Sequence, residues 1–256
     1  MIHATAIIDP SARLGNRVEV GPYSVIGANV EIGDGTVIGP HVVIKGPCTI
    51  GKDNKILQFA SIGEDPQDKK YAGEATQLII GDRNLIRECC TINRGTVQGG
   101  GVTRIGSDNW IMAYVHIAHD CMIGNHIVFA NGTTLAGHVT IEDYVILGGF
   151  TMIHQFVVLG KYCFTGINSI VLKDIPPYVM TSGQPATPHG LNSEGLKRHG
   201  FESDVIHKIK QAYRVLYKEK YLFTDAKDKI RIMGNDCDAL KDFSQFLDNS
   251  QRGIVR

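Results

Sequence analysis

An aliphatic residue returns every six positions through most of this chain. A first frame contains Ile8, Leu14, Val20, Ile26, Ile32, Ile38, Ile44, Ile50, Ile56 and Ile62, and resumes at Ile80, Ile86 and Ile92. A second frame, one residue out of phase, runs from Ile105 to Leu159, slips at Thr165 and resumes at Val171. A period of six fits neither the 3.6 of an α-helix nor the 2 of an isolated strand. The pattern predicts short strands separated by turns and stacked as a solenoid.

Two further positions of the repeat are also regular. Glycine often follows the aliphatic residue, as at Gly21 and Gly33, and a small or β-branched residue stands four places after it, as at Ser24 and Val42. We expect these glycines to take unusual φ/ψ values at the corners of the solenoid, and the small residues to point inward. Three hexads then make one coil of about 18 residues, with coils about 4.8 Å apart through parallel strand pairing.

Two interruptions and one change of character divide the chain. Residues 63–79 are polar, residues 97–104 contain three consecutive glycines, and both are predicted to be loops that protrude from the solenoid. After Lys173 a proline-containing linker follows, and from Ser193 apolar residues lie at helical spacing. We predict a β domain of residues 1–190 and a small C-terminal helical domain of residues 191–256.

Composition narrows the class of protein. Lys plus Arg equals Asp plus Glu at 26 each, so no basic surface for nucleic acid is indicated. The chain shows no secretory signal at Met1 and no apolar run that could span a membrane. Six cysteines form no C-x-x-C pair, and four of them occupy the small inward position of the repeat. We expect a reduced, cytoplasmic protein.

A cluster of histidines is the candidate site. With 18 residues per coil, His119 stacks under Gly137, and we expect His119, His138 and His154 to line one edge across three coils, with His116 nearby. From the residues alone, three interpretations remain open. His119 is a general base polarised by Asp120, or three imidazoles hold a catalytic metal, or the histidines only decorate an exposed edge.

Several motifs carry a family resemblance. The [LIV]-G-x-x-[STAV]-x repeat resembles hexapeptide-repeat proteins, which implies a mainly β left-handed parallel β-helix, a triangular prism. Gln67-Asp68-x-Lys70-Tyr71, Ala118-His119-Asp120-Cys121, Leu135-Ala136-Gly137-His138, His154-Gln155-Phe156 and Asn192-x-Glu194-Gly195-Leu196-Lys197-Arg198 together resemble the UDP-N-acetylglucosamine O-acyltransferase family. The resemblance runs from the first hexads to Arg256.

The resemblance implies an activity and a set of site residues. The family transfers an (R)-3-hydroxyacyl chain from acyl carrier protein to the 3-hydroxyl of UDP-N-acetylglucosamine, the first step of lipid A biosynthesis. It implies His119 as the base, Asp120 as its support and the Gly137 N–H as the oxyanion donor. It places seven further residues around the sugar, diphosphate and donor: Asp68, Lys70, Asn93, His116, His138, His154 and Gln155. On the nucleotide side it places Asn192, Glu194, Arg198 and His199.

The same resemblance implies partners but no resident cofactor. The acyl donor is carried on the phosphopantetheine of acyl carrier protein, no metal is expected, and the family is a homotrimer with each site between two prisms. Two residues depart from the pattern: Asn93 stands where many relatives have His, and His199 where many have Arg. Ile167 stands where the acyl groove ends, which predicts a chain of about ten to twelve carbons rather than about fourteen.

Three alternatives remain at this stage. An N-acyltransferase acting on a UDP-amino sugar, including a 2,3-diamino sugar, uses the same fold. A three-histidine metal-dependent enzyme would need bound zinc. A non-catalytic trimeric scaffold of stacked repeats would need none of the histidines.

Overall fold

Short strands fill the chain as far as Leu191 and form three sheets, which are the faces of a prism. The computed structural model describes all residues from 1 to 256. The first sheet consists of Ile7–Ile8, Val25–Ile26, Val43–Ile44, Ser61–Glu64, Thr91–Asn93, His116–Ile117, Thr134–Leu135, Met152–Ile153 and Ile170–Val171. The second consists of Arg13–Leu14, Val30–Ile32, Cys48–Ile50, Gln77–Ile80, Val102–Ile105, Met122–Ile123, Thr140–Ile141 and Val158–Leu159. The third consists of Glu19–Val20, Val37–Ile38, Lys55–Ile56, Leu85–Ile86, Trp110–Ile111, Val128–Phe129, Ile146–Leu147, Phe164–Thr165, Val179–Gly183 and Ala186–Leu191.

Neighbouring coils pair in parallel, with one exception at the last hairpin. Paired residues are usually 18 apart, as for Ile7 and Val25. The separation is 30 between Ser61 and Thr91, and 25 between Thr91 and His116. The two interruptions in the sequence therefore add residues to two coils without breaking the stack, because pairing resumes in register after each of them.

The structure corrects the predicted bounds of both loops. Residues 63–64 and 77–79 were expected to be loop, but they belong to the strands Ser61–Glu64 and Gln77–Ile80. Residues 102–104 likewise belong to the strand Val102–Ile105, and Val97–Gly99 is a 3₁₀ turn. Pairing with the neighbouring coils, which includes a register shift between Ile62 and Glu64, extends these strands into segments that have no hexad signal. The first loop is thus 65–76 and the second 94–101.

The core follows the repeat. Aliphatic positions such as Ile44, Ile117 and Leu147 are completely buried, and apolar burial of this kind is the main force that holds such a stack together. Thr165, the residue at which the frame slips, is also buried, and its hydroxyl oxygen lies 2.9 Å from the Thr151 hydroxyl. This hydrogen bond satisfies both buried hydroxyls, so a polar residue is tolerated in an aliphatic position.

The glycine that follows the aliphatic residue has a different function from the predicted one. Nineteen non-glycine residues have positive φ, whereas glycines that follow the aliphatic residues, such as Gly21 and Gly33, do not, with the exception of Gly63 after Ile62. A Cβ on Gly33 would lie 2.6 Å from the Gly51 carbonyl carbon of the next coil, and one on Gly21 would lie 2.7 Å from that of Gly39. The prediction about φ was therefore wrong. These glycines are needed because stacked coils approach closely at that point.

The left-handed residues form three columns, one along each edge of the prism. The His138 corner contains Asp120, His138 and Phe156; the Phe150 corner contains Tyr23, His41, Phe59, Tyr114, Phe150 and Asn168; the Tyr144 corner contains His126, Tyr144 and Tyr162. Side chains at these positions project from the edges and stack on one another, as Tyr144 and Tyr162 do with ring centroids 4.7 Å apart. Polar side chains that could bind or react with a ligand are therefore found at the corners, because the inward positions of the repeat are buried and mostly apolar.

Four helices follow the prism: α1 (Ser193–Arg198), α2 (Ser203–Tyr217), α3 (Phe223–Met233) and α4 (Asp238–Asn249), with a 3₁₀ turn at Gly234–Asp236 before α4. None is long and apolar enough to cross a membrane. After α4 the chain returns to the last coil, where the Val255 N–H donates to the Asp174 carbonyl at 2.9 Å. The division into domains at residue 190 stays a prediction.

Candidate active site

The His138 corner brings two histidines and one carboxylate together. His119 Nδ1 lies 2.8 Å from Asp120 Oδ2, and His138 Nε2 lies 3.6 Å from the same oxygen. The two imidazole rings are perpendicular, with centroids 5.2 Å apart. Adjacent coils position them, since the His138 N–H donates to the His119 carbonyl at 3.0 Å. The arrangement leaves His119 Nε2 as the ring nitrogen that does not contact the carboxylate.

Asp120 is held more firmly than any other residue of the corner. Its side chain is 1% exposed. Oδ1 accepts from the Thr96 N–H at 2.7 Å, and Oδ2 accepts from the Thr96 hydroxyl at 2.6 Å. The Asp120 N–H donates to the Thr103 hydroxyl at 2.8 Å. A buried carboxylate needs such donors, because an unpaired charge in the interior is costly. Thr96 lies in the second loop, and Thr103 lies in the strand that follows it.

Gly137 lies directly against the face of the His119 ring. A Cβ at this position would be 2.5 Å from His119 Cε1 and 2.8 Å from Nε2. The Gly137 N–H donates to no oxygen of the chain. A free backbone N–H beside the imidazole is suited to stabilise a negative oxygen that forms next to His119.

Burial makes two of the histidines weaker bases than usual. Burial lowers the pKa of His116, and the nearby His119 lowers it further. The His116 ring nitrogen Nδ1 also lies 2.7 Å from the Thr91 hydroxyl. For His138, burial lowers the pKa, while Asp120 and Asp68 act in the opposite direction. Both imidazoles are therefore favoured in the neutral form, in which one nitrogen donates and the other accepts.

His154 does not join the other two histidines. It precedes Gln155 and so stacks over Ala136, before the corner, whereas His138 follows Gly137 and lies at the corner itself. Its Nδ1 faces Arg252, whose guanidinium is 3.3 Å away. The expectation that the three histidines line one edge stays a prediction, since His119 lies one residue before the corner and His154 lies two residues before it. The groups whose ligand atoms lie within 4.8 Å of one another are His119, Asp120 and His138. The three-imidazole zinc set is thus not assembled.

The first loop is tied to the prism by Arg94. The side chain of Arg94 is 8% exposed and forms an ion pair with Asp65. Its guanidinium donates to the Gly63 carbonyl at 2.6 Å and to the Tyr71 hydroxyl at 3.2 Å. Arg94 therefore joins the start and the middle of the loop to the coil below, and a buried arginine with several acceptors is a rigid anchor.

Asn93 strengthens the same attachment. It is 2% exposed, and its side-chain amide donates to the Asp65 carbonyl at 2.7 Å. Its Oδ1 has no hydrogen-bond partner, and neither does the Nε of Arg94 or the hydroxyl of Thr76. These buried atoms belong to residues at the base of the first loop.

Of the two loop residues predicted to bind substrate, Asp68 lies within electrostatic reach of His138. The Asp68 carboxylate also accepts the Lys70 N–H at 2.9 Å, which fixes the turn between them. The Lys70 side chain is exposed. The loop thus brings at least one of its charged residues to the His138 corner.

The predicted nucleotide-side residues lie at another corner. Asn192 caps α1 by accepting the Gly195 N–H at 3.1 Å, and its amide donates to the Tyr162 carbonyl at 3.0 Å. His199 ends α1 and packs edge-on against Tyr144 and Tyr162, with centroids 4.8 and 5.3 Å away. All of these contacts are made at the Tyr144 corner.

The other two nucleotide-side residues are on the surface of α1. Glu194 pairs with Lys197 at 2.8 Å and Arg198 is exposed. Gln155 is also exposed, beside the His138 corner. Ile167 is 73% exposed and lies beside Asn168 at the Phe150 corner. The predicted site residues therefore occupy three different edges of one prism.

Two residues of the site were missed by sequence reasoning. Thr96 and Thr103 flank the glycine run, and both bind Asp120. Neither threonine departs from the residue types expected in the repeat. Paired residues are 25 apart across the second loop rather than 18, so counting in steps of 18 does not bring either threonine to Asp120. The available signal was the interruption itself, since an inserted loop must pack on something.

Two family models match the chain. The model of UDP N-acetylglucosamine O-acyltransferase domain 2 matches residues 174–255. The model of bacterial transferase hexapeptide repeats matches residues 11–46, 29–62 and 103–137. The first match covers the helical part and the second covers three segments of the prism.

Relatives of known name align along the full length. An acyl-[acyl-carrier-protein]–UDP-N-acetylglucosamine O-acyltransferase of Polynucleobacter asymbioticus is 61% identical, over 100% of this chain and 99% of the relative. The protein of that name from Thiobacillus denitrificans is 56% identical over the same shares.

Solved structures agree with these relatives. The UDP-N-acetylglucosamine acyltransferase of Francisella novicida has a TM-score of 0.99 and 45% identity, over 100% of this chain and 94% of that one. The one from Campylobacter jejuni has a TM-score of 0.95 and 35% identity, with both chains fully covered. The predicted left-handed parallel β-helix with a small helical part is confirmed. The chain therefore belongs to the UDP-N-acetylglucosamine O-acyltransferase family of hexapeptide-repeat proteins.

Proposed function

We propose that this acyltransferase moves an (R)-3-hydroxyacyl chain from acyl carrier protein to the 3-hydroxyl of UDP-N-acetylglucosamine, the first step of lipid A biosynthesis. The observation that carries the proposal is the His119–Asp120 pair beside the free Gly137 N–H. The names of the relatives describe an O-acyltransferase that uses acyl carrier protein and UDP-N-acetylglucosamine, and the names of the solved structures describe UDP-N-acetylglucosamine acyltransferases.

His119 is the general base. Asp120 binds Nδ1, which places the shared proton on that nitrogen and leaves Nε2 as an acceptor. Nε2 removes the proton of the sugar hydroxyl while the hydroxyl oxygen attacks the thioester carbonyl carbon. The ionised Asp120 stabilises the imidazolium that forms. A positioned base of this kind contributes about 10²–10⁴-fold to the rate.

Gly137 stabilises the intermediate. As the C–O bond forms, the carbonyl electrons move to oxygen, and the Gly137 N–H donates to that oxyanion. When the carbonyl re-forms, the C–S bond breaks, and the imidazolium returns its proton to the departing thiolate. One oxyanion donor is worth about 10²–10³-fold in kcat. The acyl chain reaches the site on the phosphopantetheine of acyl carrier protein, whose thiol is the leaving group, and no other cofactor takes part in the proposal.

Residues around the base bind the acceptor. We assign the sugar, diphosphate and donor contacts to Asp68, Lys70, Asn93, His116, His138, His154 and Gln155, and the nucleotide contacts to Asn192, Glu194, Arg198 and His199. The closeness of Asp68 to His138 supports the first group. The position of His199 on an aromatic pair supports the second, since stacked rings next to a polar side chain suit a planar base.

A single prism cannot supply this whole set. The base lies at the His138 corner, the nucleotide-side residues at the Tyr144 corner and Ile167 at the Phe150 corner. We therefore propose a homotrimer in which each site lies between two prisms. Light scattering of the purified protein should give about three times the 28.0 kDa chain mass. A monomer that still turns over would contradict the shared site.

Acyl carrier protein is an acidic partner in this proposal, and α2 offers a basic face. Lys210 and Arg214 are exposed on it, opposite the buried Ile209 and Leu216. Reversal of both charges should raise KM for the carrier-linked donor with little change in KM for the UDP-sugar. Reversal of Lys229 on α3 is the matched control. Equal kinetics of parent and double variant would remove α2 from the docking surface.

The direct experiment is acyl transfer by the purified protein in the presence of a chelator. UDP-N-acetylglucosamine and a panel of 3-hydroxyacyl carrier proteins are supplied, with His119→Ala as the blank. Product from parent alone supports the proposal. Product only with a UDP-2,3-diamino sugar would assign N-acylation instead, and activity abolished by the chelator would point to a metal.

A second variant tests the proposed contact between His199 and the nucleotide. His199→Arg places a permanent positive charge where the chain has an imidazole. We expect UDP-sugar binding to tighten by about tenfold or less in isothermal titration. Unchanged or weaker binding would show that His199 does not face the phosphates. His126→Arg, at the same corner on the coil before Tyr144, is the control.

A further inference from the structure

Thr96, a residue of the second loop, holds the Asp120 carboxylate in place. Asp120 Oδ2 accepts two bonds, one from His119 Nδ1 at 2.8 Å and one from the Thr96 hydroxyl at 2.6 Å. Oδ1 accepts the Thr96 N–H at 2.7 Å. One threonine therefore donates a hydrogen bond to each oxygen of the carboxylate. These two bonds fix the orientation of the carboxylate plane.

The direction of the Thr96 hydroxyl is fixed as well. Thr96 caps the 3₁₀ turn Val97–Gly99 from an extended conformation with φ −117°. Its hydroxyl oxygen accepts the Gly99 N–H at 3.3 Å, so the hydroxyl proton is left to point at Asp120. Gly99 itself lies directly over the Asp120 carboxylate, where any side chain would collide with it. The loop thus covers the carboxylate and excludes water from it.

We propose that Thr96 is a positioning residue of the reaction: through Asp120 it holds His119 in the tautomer and orientation that leave Nε2 available as the base. This inference rests on the proposed function, in which His119 is that base. Removal of the Thr96 hydroxyl frees Asp120 to rotate about its remaining bond to the Thr96 N–H. The His119 Nδ1 bond then loses its fixed direction, while the substrate-binding residues keep their own contacts.

Several charged groups surround the pair and belong in any pH experiment. His138 faces Asp120 from the next coil, and Asp68 reaches His138 from the first loop. His116 interacts with His119 from the preceding strand. None of these groups touches Thr96, so replacing its hydroxyl changes the field at His119 only through Asp120.

The test compares Thr96→Val, Thr96→Ser and a matched control, Thr36→Val. Thr36 is also fully buried, and its hydroxyl donates to the Gly51 carbonyl at 2.9 Å, on coils without site residues. Melting temperature, kcat, KM for UDP-N-acetylglucosamine and the pH dependence of kcat/KM are measured for each. His119→Ala is run alongside.

We expect Thr96→Val to lower kcat by about tenfold or more, because a hydrogen bond to a charged group is lost, with KM changed by less than about twofold. The acid limb of the kcat/KM profile should move to lower pH, since a carboxylate that is free to rotate stabilises the His119 imidazolium less. Thr96→Ser should restore both values. Thr36→Val should lower the melting temperature and leave kcat and the profile unchanged.

Other outcomes overturn the inference. If Thr96→Val loses stability as Thr36→Val does but keeps the kcat and pH profile of the parent, Thr96 is only structural. If neither Thr96→Val nor the smaller Thr96→Ala folds while Thr36→Val does, the same conclusion holds. If His119→Ala keeps its turnover, the base has been assigned wrongly and the proposed function fails instead. The two failures are therefore distinguishable.

Discussion

Two histidines of this chain occupy equivalent positions on different edges of the prism. His138 has φ 62° and stacks on Phe156, with ring centroids 4.4 Å apart. His41 has φ 54° and stacks between Tyr23 and Phe59, at 5.2 and 5.4 Å. Local conformation and aromatic stacking are thus nearly the same. Stacking at a left-handed corner is a general property of the repeat, and by itself it indicates no chemistry.

The difference lies in what surrounds each ring. His138 has the buried Asp120 at 3.6 Å and His119 on the preceding coil, whereas no carboxylate contacts His41. The carboxylate can exist at the His138 corner because the second loop supplies its donors and its cover. Neither inserted loop contributes a ring that stacks on His41, whose partners are Tyr23 and Phe59. An active site on this scaffold therefore requires an irregular segment added to the regular stack.

The largest expected difference between the two corners is in turnover. His119→Ala should lower kcat by about a hundredfold or more, because a positioned general base is removed. His41→Ala removes an imidazole from the Phe150 corner and should leave kcat at the parent value. Circular dichroism should show that both variants fold. Comparable losses in the two variants would mean that stacking, rather than base catalysis, is what the reaction needs.

Replacement of one glycine by alanine at each corner should also affect turnover at the His138 corner more than at the Phe150 corner. Gly137→Ala places a Cβ against the His119 ring and should reduce kcat by about tenfold to a hundredfold, since the ring must move away from the oxyanion donor. Gly149→Ala is the control at the Phe150 corner, where the new Cβ would be 3.5 Å from the nearest atom. It should be nearly silent. Full activity of Gly137→Ala would show that the close approach has no part in catalysis.

The Phe150 corner should still affect the choice of donor. Ile167→Gly removes an exposed apolar side chain and should shift preference toward longer acyl chains by about tenfold, the usual value of a few methylenes in an apolar groove. Competition between carrier proteins with chains of different length measures this ratio. Leu172→Gly, another exposed apolar residue, is the comparison. Identical donor profiles of parent and Ile167→Gly would place the length limit elsewhere.

The smallest expected effect is on stability at mildly acidic pH. Burial lowers the pKa of His116 and of His138 in the folded state. As the pH falls through the unfolded value of about 6.5, the unfolded chain binds protons first, so the free energy of unfolding decreases. His116→Gln should make this decrease shallower between about pH 7.5 and about pH 5. The control is exposed His41→Gln, which should keep the slope. A steeper decrease in His116→Gln would reverse the assigned sign.

Much of the site could be predicted from the sequence. The stacking of residues 18 apart correctly brought His119 against Gly137, and His119 next to Asp120 follows from their adjacency. The arithmetic stacks His154 over Ala136, and its contact with the Arg252 guanidinium at 3.3 Å is one that the repeat did not predict. The sequence analysis also expected glycines to take the unusual φ values at the corners, but mostly non-glycine residues take them.

The period of six determined the architecture by itself. Each hexad can bury its aliphatic residue, such as Ile44 or Ile117, only by stacking on another, so repetition leaves no other arrangement for the core. The tertiary structure alone decided which side chains meet Asp120. Thr96 is 24 residues away along the chain, across a separation that the inserted loop sets and the repeat does not. Hydrogen-bond partners depend on the direction of individual side chains, and no periodicity of apolar residues carries that information.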